Sequence, residues 1–124
     1  MKKAFIRILS LYAFCANAIT LEQVRFHNEA SDTTKITEIL VAISKQNFDN
    51  PNSRINYIAH SFLGKPYVAH TLESEVEMLT VNIDEVDCTT FVETVIALAY
   101  TAGEGRSSWR DFIHNLEKIR YRSG

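Results

Sequence analysis

An α+β domain with more helix than strand is the architecture this sequence predicts, and three observations carry it. Several stretches space their apolar residues three and four apart, the mark of amphipathic helices. One short run, Met78 to Ile83, alternates instead, which is a strand pattern. Between them Lys65 to Leu72 is expected to be extended, because Pro66 cannot sit inside a helix. A chain of 124 residues holds one small domain, and a hydrophobic content of 46% is ordinary for a globular protein.

The first eighteen residues are set apart. Lys2 and Lys3 form a basic start, Ile8 to Phe14 is apolar, and Ala16-Asn17-Ala18 offers a small-x-small cleavage site. That order predicts a secretory signal peptide over residues 1–18 and an exported, periplasmic or secreted, domain over 19–124. The apolar run is too short to span a bilayer, which takes ~20 residues, so no membrane span is expected. Bulky Phe14 before Cys15 fits a lipid-attachment site poorly. Removing Lys2, Lys3 and Arg7 from thirteen basic residues leaves ten against fifteen acidic ones, a formal charge of −5. Such a domain has no electrostatic footprint for nucleic acid or an anionic membrane.

Ile19 to Ala30 shows no clear period. Ser31 and Asp32 then offer cap oxygens for a helix to about Gln46, with Ile36, Ile39, Leu40 and Ile43 as its stripe. Asn47 to Asn52 reads as a loop, and Pro51 as a helix start. The next helix, about Ser53 to Leu63, presents Ile55, Ile58, Ala59 and Phe62, with Gly64 as its terminating glycine. Glu73, Glu75 and Glu77 read as a solvated acidic run. Leu79, Val81 and Ile83 form the inner face of a half-buried strand. A helix from about Cys88 to Ala102, closed by Gly103, buries Val92, Val95, Ile96 and Ala99. A last one, about Ser107 to Ile119, buries Trp109, Phe112, Ile113 and Leu116. The strand content is too small to cover the helices, so the central sheet is expected to be incomplete.

Asp87-Cys88-Thr89-Thr90-Phe91-Val92-Glu93 is the stretch that carries chemistry. Once Cys15 leaves with the signal, Cys88 is the one cysteine left and stands in the first turn of a helix. Cysteine nucleophiles act as thiolates, which a helix N-terminus favours. Asp87 fits as the N-cap, accepting from the N–H of Thr89 or Thr90, while its charge opposes a thiolate beside it. Activation then needs a histidine partner. A second reading stays open: free cysteine often does no more than pack in a core, and Cys88 is spaced to join Phe91 and Val92 on a buried face. One cysteine and four scattered histidines give no ligand spacing, so no metal or cofactor is expected.

Gly64-Lys65-Pro66-Tyr67 followed by Asp87-Cys88-Thr89-Thr90-Phe91-Val92 resembles the NlpC-type papain-like cysteine peptidases, which typically carry Gly-x-Pro-Tyr and then Asp-Cys-Ser-Gly-Phe-Val. Thr89-Thr90 departs from Ser-Gly. With Tyr67-Val68-Ala69-His70-Thr71-Leu72-Glu73 and the Glu93 ending, the chain is closer to the N-acetylmuramoyl-L-alanine amidase-like branch, over about residues 31 to 122. The resemblance implies the helical N-terminal half of a papain-like fold. It also implies hydrolysis of the amide between N-acetylmuramic acid and L-alanine in peptidoglycan fragments. By position it makes Cys88 the nucleophile and Tyr67, His70, Thr71, Glu73 and Asp87 candidates for shaping the substrate site.

In that family the catalytic histidine follows the cysteine helix, on a strand. His114 is the one downstream histidine here, and it lies opposite the apolar stripe of its helix; His60 does the same on its own helix. His27 falls in the unpatterned segment. His70 shares a face with Val68 and Leu72 and is the one plausible in-chain partner. The expectation is therefore a partial amidase-like domain lacking its C-terminal strands and inactive by itself. The alternatives are a non-catalytic exported peptidoglycan-binding module and a small helical domain with a buried cysteine. Oligomeric state has no signal in the sequence.

Overall fold

Asn28 begins the first helix, three residues before the expected caps. In this computed structural model, which describes residues 23–69 and 78–121, its side-chain oxygen accepts the N–H of Ser31 at 3.0 Å. Helix α1 then runs Glu29–Ser44. Ser31 and Asp32 lie inside it, because Asn28 already takes the cap position and accepts a first-turn N–H. Asn50 repeats the device for α2, Pro51–His60, taking the N–H of Ser53 at 2.9 Å with Pro51 as the first helical residue. A turn carries the chain on to Gly64, whose φ of +84° suits a residue without a Cβ.

The unpatterned segment holds a strand. β1, Val24–Phe26, pairs in parallel with β2, Leu79–Val81, setting Val24 opposite Leu79 and Phe26 opposite Val81. The His27 N–H extends the ladder to the Val81 carbonyl at 2.8 Å. All three residues of β2 are buried, so the alternation predicted half-burial where there is burial on both faces. The open edge of β2 is closed by α4, Trp109–Arg120. Arg120 Nη1 donates to the Thr80 carbonyl at 2.5 Å, and the Tyr121 hydroxyl donates to the Met78 carbonyl at 3.4 Å. Both carbonyls point away from β1 by the alternation of a strand. The result is a mostly helical α+β fold with a two-stranded sheet.

Helix α3, Cys88–Gly103, is the centre. It packs on α1, α2 and α4. Being surrounded, it buries more than one stripe: Ala97 and Leu98 are inaccessible, and so is Thr101, which Asn115 of α4 reaches at 3.0 Å. Val92, expected inside, is 51% exposed. Gly103 stays helical and the positive φ falls on Gly105. Ile36, Leu40, Ile58, Phe112 and Leu116 complete the core around it. Trp109 is only partly buried, its ring meeting Phe26 edge-on at 6.0 Å.

Candidate functional site

The turn that launches α3 begins with Asn82, whose side-chain oxygen accepts the N–H groups of Asp84 (3.1 Å) and Glu85 (2.9 Å). An asparagine folding its side chain back onto the next N–H groups makes a turn without a glycine. Val86 then pairs with the extended segment: its N–H donates to the Pro66 carbonyl at 3.1 Å and its carbonyl accepts from Val68 at 3.0 Å. Tyr67 is thereby bridged to Val86, two residues ahead of Cys88, with 69% of its surface exposed.

Asp87 caps α3, as its sequence position predicts. Its Oδ1 accepts the N–H of Thr90 at 2.8 Å, and the Thr90 hydroxyl accepts the Asp87 N–H at 2.9 Å. This reciprocal pair holds the first turn in register. Cys88 is the first helical residue and is exposed, so it does not lie on the buried face. The buried positions of that turn are taken by Thr90 and, partly, by Phe91, whose ring meets Phe62 edge-on at 5.9 Å. Among the described residues, the hydroxyl of Thr89 is the polar contact of the thiol, at 4.0 Å. The arrangement presents a thiol to solvent at a helix N-terminus, where N–H groups and the helix dipole favour negative charge.

Three elements converge on the same turn. Asp84 is bonded by Lys35 of α1 and lies 3.9 Å from Lys65 of the extended segment. The Lys35 hydrogen bond, ahead of the nearby charges, holds the Asp84 carboxyl below its ordinary value. His27 meets Glu85 at 3.3 Å. Asp32 of α1, read as a cap, is fully buried and accepts the N–H of Ile83 at 3.3 Å and that of Asn28 at 2.9 Å. Burial pushes its carboxyl up, against those two hydrogen bonds. On the far side of the motif, Glu93 pairs with Arg120 at 2.8 Å.

Asp32, Lys35, Asp84 and Arg120 have no motif signal. A lone acid one turn inside a helix is normally solvated, and only the tertiary fold brings it to Ile83. His70, Thr71 and Glu73 lie outside the described residues. Of the described histidines, His27 is engaged by Glu85, His60 Nδ1 meets the Asn56 carbonyl at 2.7 Å, and His114 is exposed on α4. No group of metal-binding side chains occurs among the described residues, and no described helix is long and apolar enough to cross a membrane. A cavity of about 10 Å³, lined in part by Thr80, Asn82, Thr90, Thr94 and Arg120, has room for about one water and none for a substrate.

Neither the curated proteins nor the solved structures contain a match to this chain. A family model does: AmiA-like, N-acetylmuramoyl-L-alanine amidase-like, over residues 57–124. The match takes in the bridged segment at Tyr67, the turn at Asn82 and the whole of α3 with its capped thiol. This chain belongs to the AmiA-like family of N-acetylmuramoyl-L-alanine amidase-like proteins.

Proposed function

We propose that the site at the start of α3 is that of a cysteine amidase acting on the bond between N-acetylmuramic acid and L-alanine in peptidoglycan fragments. The observation that carries this is the exposed thiol of Cys88 at the first position of a capped helix, inside the segment that matches the amidase-like family. Cys88 is the nucleophile and Asp87 fixes the turn that presents it. Tyr67, His70, Thr71 and Glu73 shape the approach of the substrate. The papain-like, NlpC-type relation belongs to the same proposal, supported by Gly64-Lys65-Pro66-Tyr67 and Asp87-Cys88-Thr89-Thr90-Phe91-Val92. So does export, supported by the basic, apolar and small-residue order of residues 1–18.

Acyl transfer to a thiol also needs a base within hydrogen-bond reach. His27 and His60 have other partners, and His70 is the family-motif histidine left to test. Those engagements favour one second reading, a non-catalytic module that binds the same fragments.

A purified muropeptide and a Cys88→Ala variant separate the two. In the enzyme, wild type releases the stem peptide and Cys88→Ala binds the fragment without turnover. In the module, wild type and variant bind equally and neither cleaves. Absence of both binding and cleavage by a folded wild-type chain removes both readings.

A further inference from the structure

The proposed chemistry makes no use of Asp32, yet this fully buried carboxylate reaches the turn that ends at the thiol. Its Oδ1 accepts from Ile83 N–H, 51 residues away along the chain, and its Oδ2 accepts from Asn28 N–H. Two N–H donors aimed at two oxygens call for an acceptor at each, and an ionised carboxylate has one at each. An amide in its place would point its own N–H₂ at one of the donors, and a protonated acid would keep only one oxygen free of a hydrogen.

Asp32 has its carboxyl raised above 3.8, burial first, with Asp84 adding to it and the Asn28 and Ile83 bonds and His27 opposing. A raised acid contributes stability that is complete below its unfolded value and is lost as the pH rises through the folded one. The remaining charged groups on this turn are Lys35 from α1, Lys65 from the extended segment, and Glu85, paired with His27 from the end of β1. A fully buried carboxylate on α1 that accepts from the segment leading into a functional residue, 51 residues away along the chain, reads as placed for that segment.

The geometry points to Asp32 as a positioning residue for Cys88: it fastens the Asn82–Val86 turn to α1 and thereby sets the first-turn N–H groups of α3 against the thiol. This rests on the reading of Cys88 as the nucleophile and names the remote group that supports it. The Cys88 side chain is already exposed, so access does not limit its reaction, and loosening the turn moves the helix N-terminus away from the thiol instead.

The test is alkylation of Cys88 by iodoacetamide, followed by mass spectrometry at neutral pH in wild type and Asp32→Asn. The expected result is a rate about threefold slower in Asp32→Asn, in line with the loss of helix-terminus stabilisation, with the circular dichroism spectrum unchanged. Leu98→Ala, which disturbs the core and leaves the turn alone, alkylates at the wild-type rate when folded. A folded Asp32→Asn that alkylates like wild type overturns the proposal. Should Asp32→Asn not fold, an NMR titration of the wild type decides. The amides of Ile83, Cys88 and Thr89 are then expected to shift with the midpoint of the Asp32 carboxyl carbon, and Cys88 and Thr89 amides unmoved through it refute the role. Muropeptide cleavage measured alongside keeps the two readings apart. A wild type that alkylates but never cleaves sinks the amidase, while the alkylation rates still judge Asp32.

Discussion

Around Leu98, helix α3 is enclosed by apolar side chains from three other helices; the turn leading into the same helix buries Ile83 and Val86 but adds polar ties from Asp32 and Lys35 of α1. Leu98, Ala97 and Phe112 are inaccessible, whereas Cys88, Thr89 and Val92 face solvent. Packing is non-directional and scales with area, so it fixes where a helix lies. Hydrogen bonds and ion pairs contribute less net stability but fix angles, which is what an exposed reactive group requires. The difference teaches that the helix is anchored in its middle and aimed at its first turn.

The comparison breaks most severely at Leu98. Leu98→Ala removes a fully buried side chain and is expected to cost about 3 kcal/mol, transfer and cavity together. Urea unfolding measures it, and a loss near zero would mean that α3 is not the packing centre. At the boundary between the two regions stands the ion pair of Glu93 with Arg120, which also holds the Thr80 carbonyl. Arg120→Met leaves a largely buried carboxylate and a carbonyl without their donor, at about 2 kcal/mol in the same assay. A loss no larger than that of an exposed pair would place Glu93 in the solvated class instead.

The smallest effect belongs to the turn. Asp84 has its carboxyl lowered by Lys35, so its contribution is present above 3.8 and is lost as the pH falls through the folded value. Asp84→Asn should therefore lower stability by about 0.5 kcal/mol at neutral pH, as for a partly exposed ion pair. Melting temperatures across acid pH test the sign: the gap from wild type closes on acidification. A gap that widens instead would show that Asp84 is destabilised by its neighbours.

What could be read from the sequence follows the same division. Apolar spacing located α1, α2, α3 and α4 within a few residues, and Asp87 announced its own role as a cap, because these signals are local. The strand at Val24–Phe26 escaped because three residues are too few to display a period. The exposure of Val92 and the burial of Thr80 escaped because each depends on which element lies opposite. Asp32 escaped for the same reason; its second partner is across the fold. At the site, the cysteine, its cap and Tyr67 were legible as a motif, whereas the scaffolding that orients them was not.

The parallel pairing of β1 with β2 carries a consequence for the order of assembly. Helices α3 and α4 are joined by a short connection and can dock as neighbours, whereas β1 meets β2, and Asp32 meets Ile83, only when a loop of about fifty residues has closed. Closing it costs entropy that grows as about (3/2)RT ln n for n residues, set against a two-stranded ladder and one buried hydrogen bond. The segment that aims the thiol thus shares its long-range closure with the docking of α1 on α3 and α4, so the setting of Cys88 and the helical core are completed by the same meeting of distant parts of the chain.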